Sequence, residues 1–482
     1  METSRKDRGA TKWALACGSL LAYGLVLAVH PVFRAIRKFQ FLELTEWTKA
    51  SLWRPPRHGL AHVWHYLQDH PHERAWLFVV ILAVLFLLYA WSLRCARRGA
   101  GFSPTATALW TVALGAPLVA ALPVLSNDIF AYILTGEIAD HGLNPYAVDL
   151  VDQKWSEASP YLLRIEHGNL YGPMVTRLFQ ILHFDGPTLF QKLLVFKAFL
   201  VLTLVACSLL LAGALRALGH PEKAVSTGVL AFAFSPLILI EVAMNGHLDV
   251  VVALLVTGGL FLLSRGHGFW GLAVTASAVA VKAVCLLMAP ALLVFAYFGA
   301  GGGRPGILRA VGLAAWTAGA YFVWLIPDWT GSNPLGPLSD VDHLSCNSLT
   351  YALQLAARAS EVRPSDVQWL GRSLFAILLL WGVWNVRTTE RLIARLSRDW
   401  LLFLLYFVPW LHPWYLIPAF APALLSHRKR DWVTLSVFSA MFLVANYVFV
   451  IGGMLKTRDS WLWSYIFGVL PAGVLFLVLS FR

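Results

Sequence analysis

Charged side chains are scarce in this sequence. Only 13% of its 482 residues are Asp, Glu, Lys or Arg, whereas soluble globular domains carry about 25%. Instead, 58% of the residues are hydrophobic, and apolar runs recur along the whole length. Many of these runs are long enough to cross a hydrocarbon layer of about 30 Å. The scarcity of charge excludes an ordinary soluble protein and predicts an all-α, polytopic transmembrane helical bundle.

Motifs of soluble enzymes are missing as well. The sequence contains no Gly-rich phosphate loop, no HExxH and no GxSxG, so nothing in it supports the use of ATP or nucleotide sugars on the cytoplasmic side. The 5 cysteines show no CxxC spacing. Most lie in or beside apolar runs, which favours buried small side chains over a disulfide framework. No long Pro/Ser linker divides the chain, so we predict one integral membrane domain over residues 1–482.

The net charge of +12 points to a membrane rather than to nucleic acid. The basic residues stand mostly at the ends of apolar runs, where the positive-inside rule places them. The basic stretch Arg5–Arg8 precedes the apolar run 13–32. No clear small-x-small cleavage site follows that run, so we expect a retained first helix. Because the basic residues flank apolar runs, we expect no nucleic-acid partner.

The apolar runs predict 12–14 membrane helices. Some runs are shorter than 18 residues, which fits helices that are tilted, broken or re-entrant inside a protein. The predicted spans are 12–33, 75–93, 104–125, 188–214, 223–243, 247–264, 268–281, 283–299, 307–327, 366–386, 398–410, 413–426, 432–452 and 461–480.

Loop charge predicts the orientation. With the N-terminus in the cytoplasm, alternate loops carry basic residues on that one side, among them Arg97, Lys223, Arg265, Arg304 and Arg398. Both termini are then cytoplasmic, in a plasma or inner membrane. The basic outer loop 34–74 is the exception. The outer loops 126–187 and 328–365 are unusually long for a compact bundle, so we expect them to carry active-site elements and short amphipathic helices.

Asp128 stands at the outer end of the third predicted helix. Ser126 or Asn127 can cap a new helix there, with one apolar face, that stops at Asn144-Pro145-Tyr146. In one interpretation Asp128 only assists the cap. In the other it is a carboxylate at the membrane surface that acts as a general base.

Two further polar segments follow. Tyr171-Gly172-Pro173 is either an ordinary turn or a rigid turn that presents Tyr171 to a polar headgroup. Glu241 and the segment Asn245–Asp249 form a polar cluster between two apolar runs, where ionisable groups are costly and usually functional. Asn245, His247 and Asp249 line a substrate cavity or form structural hydrogen bonds between helices. Residues two apart do not share a helix face, and no further ligands for a metal on His247 are evident.

Three basic residues are candidates for contact with an anion. Lys282 interrupts an apolar stretch and either reaches to the interface or binds a phosphate. His412, followed by Pro413-Trp414-Tyr415, is a turn histidine in the headgroup layer or contacts a phosphate or sugar hydroxyl. Arg458, near Lys456 in the last outer loop, is another candidate for contact with an anion.

Taken together, these segments resemble the GT-C superfamily of membrane glycosyltransferases, which use lipid-phosphate-linked sugars. The likeness is to bacterial polyprenol-phosphomannose-dependent α-1,6-mannosyltransferases and related hexosyltransferases. It covers most of the chain and rests on an ordered set of segments: Ser126–Tyr132, Gly142–Tyr146, Tyr171–Pro173, Asn245–Asp249, Lys282 and His412–Tyr415.

The resemblance implies a mechanism. Asp128 matches the family's catalytic base and would deprotonate an acceptor hydroxyl that attacks the sugar with inversion. The donor is a polyprenyl-phosphate sugar, most simply a mannose, and the acceptor is a glycan or glycolipid. Lys282, His412, Tyr171, Asn245, His247, Asp249, Tyr415 and Arg458 would bind the donor phosphate or sugar.

The resemblance also bears on cofactors. Many relatives carry a paired acidic motif where this chain has Asn127-Asp128, which argues against a paired-carboxylate metal site. We expect no cofactor, with a divalent metal left open.

Two other classes of protein fit the same composition. A multi-spanning transporter or flippase of a lipid-linked or small substrate is the first, although such proteins often show two matching halves and no clear internal repeat is present. A non-catalytic membrane scaffold is the second.

Overall fold

The architecture is all-α. The structure is a computed structural model that describes residues 5–29, 70–121, 123, 126–159, 162, 171–182, 188–299, 301–325, 345–358, 362–426, 428–451 and 459–481. These residues form helices and connecting turns, and an isolated bridge between Cys346 and Trp410 is the one β-type pairing among them. The predicted fold class is therefore confirmed.

The helices follow the apolar runs of the sequence. In chain order they are α1 (Arg5–Val29), α2 (Pro71–Cys95), α3 (Pro104–Ala120), α4 (Asp128–Asp140), α5 (Pro173–Leu182), α6 (Leu189–Ala217), α7 (Glu222–Ala233), α8 (Pro236–Leu239), α9 (Asp249–Ser264), α10 (Gly268–Ala276), α11 (Ala289–Gly299), α12 (Gly303–Leu325), α13 (Leu349–Ala357), α14 (Pro364–Gly382), α15 (Thr389–Leu402), α16 (Ile417–Leu425), α17 (Lys429–Ala445), α18 (Ser460–Ser464) and α19 (Leu470–Ser480). Wider π-type turns extend α8 to Met244, α15 to Phe407 and α17 to Ile451.

Among the described residues, five helical segments are long and apolar enough to cross a membrane. They are Ala75–Ala100, Leu189–Ala217, Gly303–Trp324, Lys429–Val450 and Ser460–Ser480. The segments Glu222–Ala233 and Pro236–Met244, bent by 44° between them, add a sixth if they form one broken span. Apolar helices of 10–17 residues account for most of the short predicted runs. The chain is a polytopic membrane protein.

Three predicted boundaries were wrong. Helix α1 begins at Arg5, seven residues before the predicted start at 12. Helix α15 begins at Thr389, nine residues before the predicted start at 398, because Arg395 pairs with Asp399 inside the helix and so tolerates burial. Helix α4 ends at Asp140, before Asn144-Pro145, because Gly142 adopts φ +70° and stops it earlier.

Helix α4 also differs from the expected surface helix with a single apolar face. All of its residues from Ile129 to Ala139 are buried. It packs against α5 and contacts α6. This helix of the loop 126–187 therefore lies within the bundle and not on its surface.

The cysteines are all free. Cys207, Cys285 and Cys346 are buried as expected, whereas Cys17 is exposed and Cys95 is half-buried. Helices in a bilayer expose apolar side chains to lipid at no cost, so an apolar run does not guarantee burial within the protein.

Helix α9 connects two chemically distinct ends of the bundle. It packs against α6, α10 and α16, and its 16 residues give it a length of about 24 Å. Asp249 begins it within a cluster of polar residues, and Arg265 follows it at the other end. At a basic end of the bundle, Arg97, Lys223 and Lys429 from three predicted cytoplasmic loops line one pocket.

Candidate active site

The carboxylate of Asp128 is held by two hydroxyl groups. Asp128 opens helix α4, and its side chain is 20% exposed. The Ser126 hydroxyl accepts a hydrogen bond from the Asp128 backbone N–H at 3.1 Å and donates one to Oδ1 at 2.9 Å. Asn127 occupies the cap position, yet its side chain makes no capping bond. Within the described residues the Asp128 carboxylate bonds side chains rather than helix N–H groups, which disfavours the interpretation that it merely assists the cap.

Tyr171 supplies the second hydroxyl. Its OH donates to Asp128 Oδ2 at 2.9 Å and accepts from the Tyr132 OH at 3.2 Å. Tyr132 lies one helical turn after Asp128 on α4. Burial raises the pKa of Asp128 above its usual value, although the bonds from Ser126 and Tyr171 and the charge of Lys282 limit the rise. Burial and the nearby carboxylate raise the pKa of Tyr171, so this phenol stays protonated and donates.

Gly172 fixes Tyr171 against a second segment. Its N–H donates to the Val281 carbonyl at 2.9 Å, and a Cβ at Gly172 would collide with the carbonyl of Ala280. Only glycine permits this approach of two backbones. Pro173 then begins α5. The turn is therefore an ordinary helix start, and it also brings Tyr171 beside Lys282.

The segment 245–249 is a break between two helices. The turn that extends α8 ends at Met244, Gly246 adopts φ +77°, and α9 begins at Asp249. A Cβ at Gly246 would also strike the side chain of Ile129. Because this stretch is not helical, the rule that residues two apart face different ways does not apply. Asn245, His247 and Asp249 are all buried.

His247 lies between two carboxylates. The fully buried imidazole has Nδ1 3.6 Å from Asp128 Oδ2 and Nε2 3.3 Å from Glu241 Oε2. Neither nitrogen has a hydrogen-bond partner among the described residues. The amide of Asn245 donates to the same Glu241 oxygen at 2.9 Å. The ring stacks on Trp414 at 3.8 Å between centroids.

Lys282 forms a buried ion pair. Its backbone is extended and lies between two short 3-10 turns. Its ammonium donates to both oxygens of Asp249, at 2.9 and 2.8 Å. The side chains of Lys282 and Asp249 are 12% and 2% exposed. The ammonium also lies 4.4 Å from the centre of the Tyr415 ring and 5.9 Å from that of Tyr171. The alternative that Lys282 reaches to an interface is wrong, because its charge is neutralised within the protein.

His412 joins the cluster through stacked rings. Its imidazole stacks with Trp414, which also stacks with His247, at 4.4 Å between ring centroids, and its Nε2 lies 3.9 Å from the Cys346 sulfur. Burial and the charge of Lys282 lower the pKa of His412 well below its usual value. A neutral ring is therefore the resting form. In this neutral form His412 can contact a phosphate or sugar hydroxyl by hydrogen bonding but not through a positive charge.

Eight of the nine predicted site residues thus meet at one end of the bundle. Arg458 lies outside the described residues. The sequence-based interpretation did not assign Glu241, Tyr132 or Trp414 to the site. Tyr132 had a signal, since it stands four residues after Asp128 on a helix. Trp414 is buried and stacks with the rings of His247 and His412.

The described residues contain no group of three or more His, Cys, Asp or Glu side chains arranged to hold a metal ion. The carboxylates nearest the cluster are engaged instead with hydroxyl, amide, ammonium or imidazole groups. The chemistry available here is that of a base, a cation and neutral hydrogen-bond donors.

An apolar groove begins beside Lys282. It has a volume of about 310 Å³ and is bounded by Ala283, Cys285 and Leu286 on one side and by Tyr321 and Phe322 of α12 on the other. Leu286 and Phe322 are each about two-fifths exposed. The groove therefore starts at the residue that follows Lys282 and extends to the outer surface of the helices.

Comparison with known proteins places this chain in a family. A family model described as "Alpha-(1->6)-mannopyranosyltransferase, N-terminal domain" matches residues 45–298, more than half of the chain. The matched region contains Asp128, Tyr171, His247 and Lys282, whereas His412 lies beyond it.

A curated relative agrees with that match. The "Alpha-(1->6)-mannopyranosyltransferase A" of Mycobacterium tuberculosis (strain ATCC 25618 / H37Rv) is 26% identical over 193 residues, which are 39% of this chain and 35% of that protein. The chain thus matches about a third of the relative's length. With an all-α membrane bundle and an ordered cluster around Asp128, the chain belongs to the alpha-(1->6)-mannopyranosyltransferase family.

Proposed function

We propose that this protein is a membrane mannosyltransferase that moves a mannose from a polyprenyl-phosphate donor to a hydroxyl of a glycan or glycolipid. The observation that carries the proposal is the Asp128 carboxylate, anchored by Ser126 and Tyr171 and set one aromatic ring away from the Lys282 ammonium. A base and a cation separated in this way suit attack at one side of a sugar and departure of a phosphate at the other. Family membership supports the choice of mannose.

The base would be Asp128. It takes the proton from the acceptor hydroxyl as the acceptor oxygen bonds to the anomeric carbon. Its raised pKa strengthens the ionised carboxylate as a base. The bond between the anomeric carbon and the phosphate oxygen breaks on the opposite side, so the anomeric configuration inverts.

The phosphate would leave beside Lys282. A lipid phosphate departs as an anion, so the transition state gains negative charge that a fixed cation stabilises. Asp249 holds the ammonium by both oxygens, which makes Asp249 a positioning residue in this scheme. Neutral His412 and Tyr415 would hydrogen-bond sugar or phosphate oxygens, and Asn245 would act by holding Glu241.

The polyprenyl chain would occupy the apolar groove that starts at Ala283. The groove directly follows Lys282 in sequence and is lined almost wholly by apolar side chains. Exposed Leu286 and Phe322 continue it toward the lipid. A donor whose phosphate contacts Lys282 can thus keep its tail in an apolar environment.

The positive-inside rule supports a non-cytoplasmic site. The basic pocket with Arg97, Lys223 and Lys429 would face the cytoplasm, and Asp249 and Lys282 lie toward the other end of the bundle. In this orientation both chain termini are cytoplasmic, in a plasma or inner membrane, and one domain spans residues 1–482.

Transport of a lipid-linked or small substrate is the second candidate. The broken segment between α7 and α9, with its buried Glu241 and His247, is the observation that favours it, because transporters often bind substrates at discontinuous helices.

A reconstitution experiment separates these functions. Purified protein is incubated in detergent with radiolabelled polyprenyl-phosphate mannose and a mannose-containing glycolipid, and in parallel with a nucleotide-linked mannose. We expect labelled glycolipid from the polyprenyl donor alone. Movement of donor across sealed vesicles without any labelled product would contradict transfer and favour transport.

A further inference from the structure

A second polar pocket lies at a basic end of the bundle, away from the Asp128 cluster. It has a volume of about 680 Å³, which is in the range of small-molecule sites. Its polar lining comes from the start of α15, the turn before it and the turn after α16: Asn385, Arg391, Arg395, Arg398, Ser426 and Arg428. The α16 segment runs from near His412 to Ser426, so this pocket and the candidate active site lie at opposite ends of that segment.

The spacing of the arginines explains how they meet. Arg391, Arg395 and Arg398 recur at intervals of four and three residues, which places them on one face of α15. Arg428, from the turn that precedes α17, joins them from a separate segment. Four guanidinium groups thus line one pocket, against a single lining carboxylate, that of Glu390.

Arg395 is built into the wall of the pocket. Its side chain is 8% exposed and pairs with Asp399 at 2.7 Å. It also donates to the carbonyls of Leu378 and Leu379, at 2.9 and 3.2 Å. A Cβ at Gly382 would overlap this guanidinium, so the glycine opens the space that Arg395 occupies. Its Nη1 group has no hydrogen-bond partner among the described residues.

None of the other three arginines, Arg391, Arg398 and Arg428, forms a salt bridge with a carboxylate in the described part of the chain. The nearby Asp431 is already engaged by Arg430 at 2.9 Å and by Ser397 at 2.8 Å. Arg398 is repelled by Arg395, Arg430 and Arg428 and attracted by Asp399. Basic groups that outnumber their counter-ions repel one another, and a bound anion lowers that cost.

We propose that this pocket binds a phosphate group, with Arg391, Arg398 and Arg428 as its direct contacts and Arg395 as a fixed donor in the wall. Planar guanidinium groups bind phosphate with paired hydrogen bonds. The amide of Asn385 and the hydroxyl of Ser426 add neutral groups at the rim. The phosphate belongs either to the headgroup of an anionic phospholipid or to a soluble phosphorylated ligand. This site is separate from the proposed donor site.

The test uses delipidated full-length protein and native mass spectrometry with three probes: dioleoyl phosphatidylglycerol, dioleoyl phosphatidylcholine and inorganic pyrophosphate. We expect one tightly held phosphatidylglycerol or pyrophosphate per chain, with weaker retention of phosphatidylcholine and loss of binding at high salt. Preference for phosphatidylglycerol identifies a site for a lipid headgroup, and preference for pyrophosphate identifies a site for a soluble ligand.

Two matched variants decide the location. The triple variant Arg391→Gln, Arg398→Gln, Arg428→Gln is expected to bind the preferred probe about tenfold or more weakly, because it removes charge-assisted hydrogen bonds. The control Arg94→Gln, Arg265→Gln, Arg304→Gln removes the same charge from exposed positions elsewhere and should bind within about twofold of wild type. If the triple variant does not fold, Arg428→Gln alone replaces it. Equal binding by the pocket variant and the control would overturn the proposal.

Discussion

At the scale of single residues, the cluster is organised by pairings between segments that are distant in sequence. Asp128 meets Tyr171 across 43 positions, and Lys282 meets Asp249 across 33. The sequence alone marked all four residues as unusual for a membrane protein. It did not indicate which partner each one takes, because such partners are set by how α4, α9 and the turn at Lys282 pack together.

Tyr171 tunes the base by one hydrogen bond. Tyr171→Phe removes a donor to the Asp128 carboxylate and so raises the pKa of Asp128 further. Since the ionised form is the base, activity falls as pH drops through that pKa. The acidic limb of kcat/KM should therefore move to higher pH by about one unit. A pH–rate profile measures the shift, and an unmoved limb would show that Tyr171 does not act on the base.

Variants of Lys282 and Asp249 distinguish the effect of this pair on stability from its effect on catalysis. Lys282→Met leaves a buried carboxylate without its partner and should lower the free energy of unfolding by about 3–5 kcal/mol. The double variant Lys282→Met, Asp249→Leu should recover most of that stability, because two apolar side chains replace the pair. Transfer should remain lost in both variants, since neither retains the cation.

Thermal denaturation and the transfer assay measure these two effects side by side. Recovery of turnover in the double variant would contradict a role for Lys282 in stabilising the leaving phosphate.

At the scale of elements, the predicted spans were accurate where apolar residues are continuous. Helices α6, α12 and α17 agree with their predicted spans to within a few residues. The prediction failed where charge is buried in pairs, as at the start of α15, and where a polar loop folds inward, as at α4. Apolar periodicity reports contact with lipid or core, and it cannot report a salt bridge or a buried loop helix.

The turn at Gly172 is the structural element that couples Tyr171 to Lys282. Gly172→Ala should force the turn away from the Ala280 carbonyl and cost about 1–3 kcal/mol of stability. Tyr171 should then lose its bond to Asp128, so turnover falls together with stability. Gly142→Ala is a control. Gly142 follows α4 and has open space around it, so this substitution tests only the effect of a positive φ.

Unfolding and transfer assays of both glycine variants make the comparison. Equal loss of transfer in Gly142→Ala and Gly172→Ala would show that the contact with Ala280 has no special role.

At the scale of the whole molecule, the proposed orientation places the Asp128 cluster outside and the arginine-rich end inside the cell. Single cysteines introduced into a cysteine-free protein test this. Trp155→Cys, in an exposed position after α4, should react with a membrane-impermeant thiol reagent on intact cells. Arg304→Cys, at an exposed position in the first turn of α12, should react only after permeabilisation. The reverse pattern would invert the topology.

The central claim is that Asp128 is the base for glycosyl transfer, and single-turnover rates test it most directly. Enzyme in excess over radiolabelled polyprenyl-phosphate mannose is mixed with acceptor, for wild type, Asp128→Asn and the control Asp140→Asn. Asp140 is exposed at the other end of the same helix. Asp128→Asn should slow transfer by about 100- to 10,000-fold at an unchanged melting temperature, while Asp140→Asn transfers at the wild-type rate. Transfer by Asp128→Asn at the wild-type rate would contradict the assignment of the base.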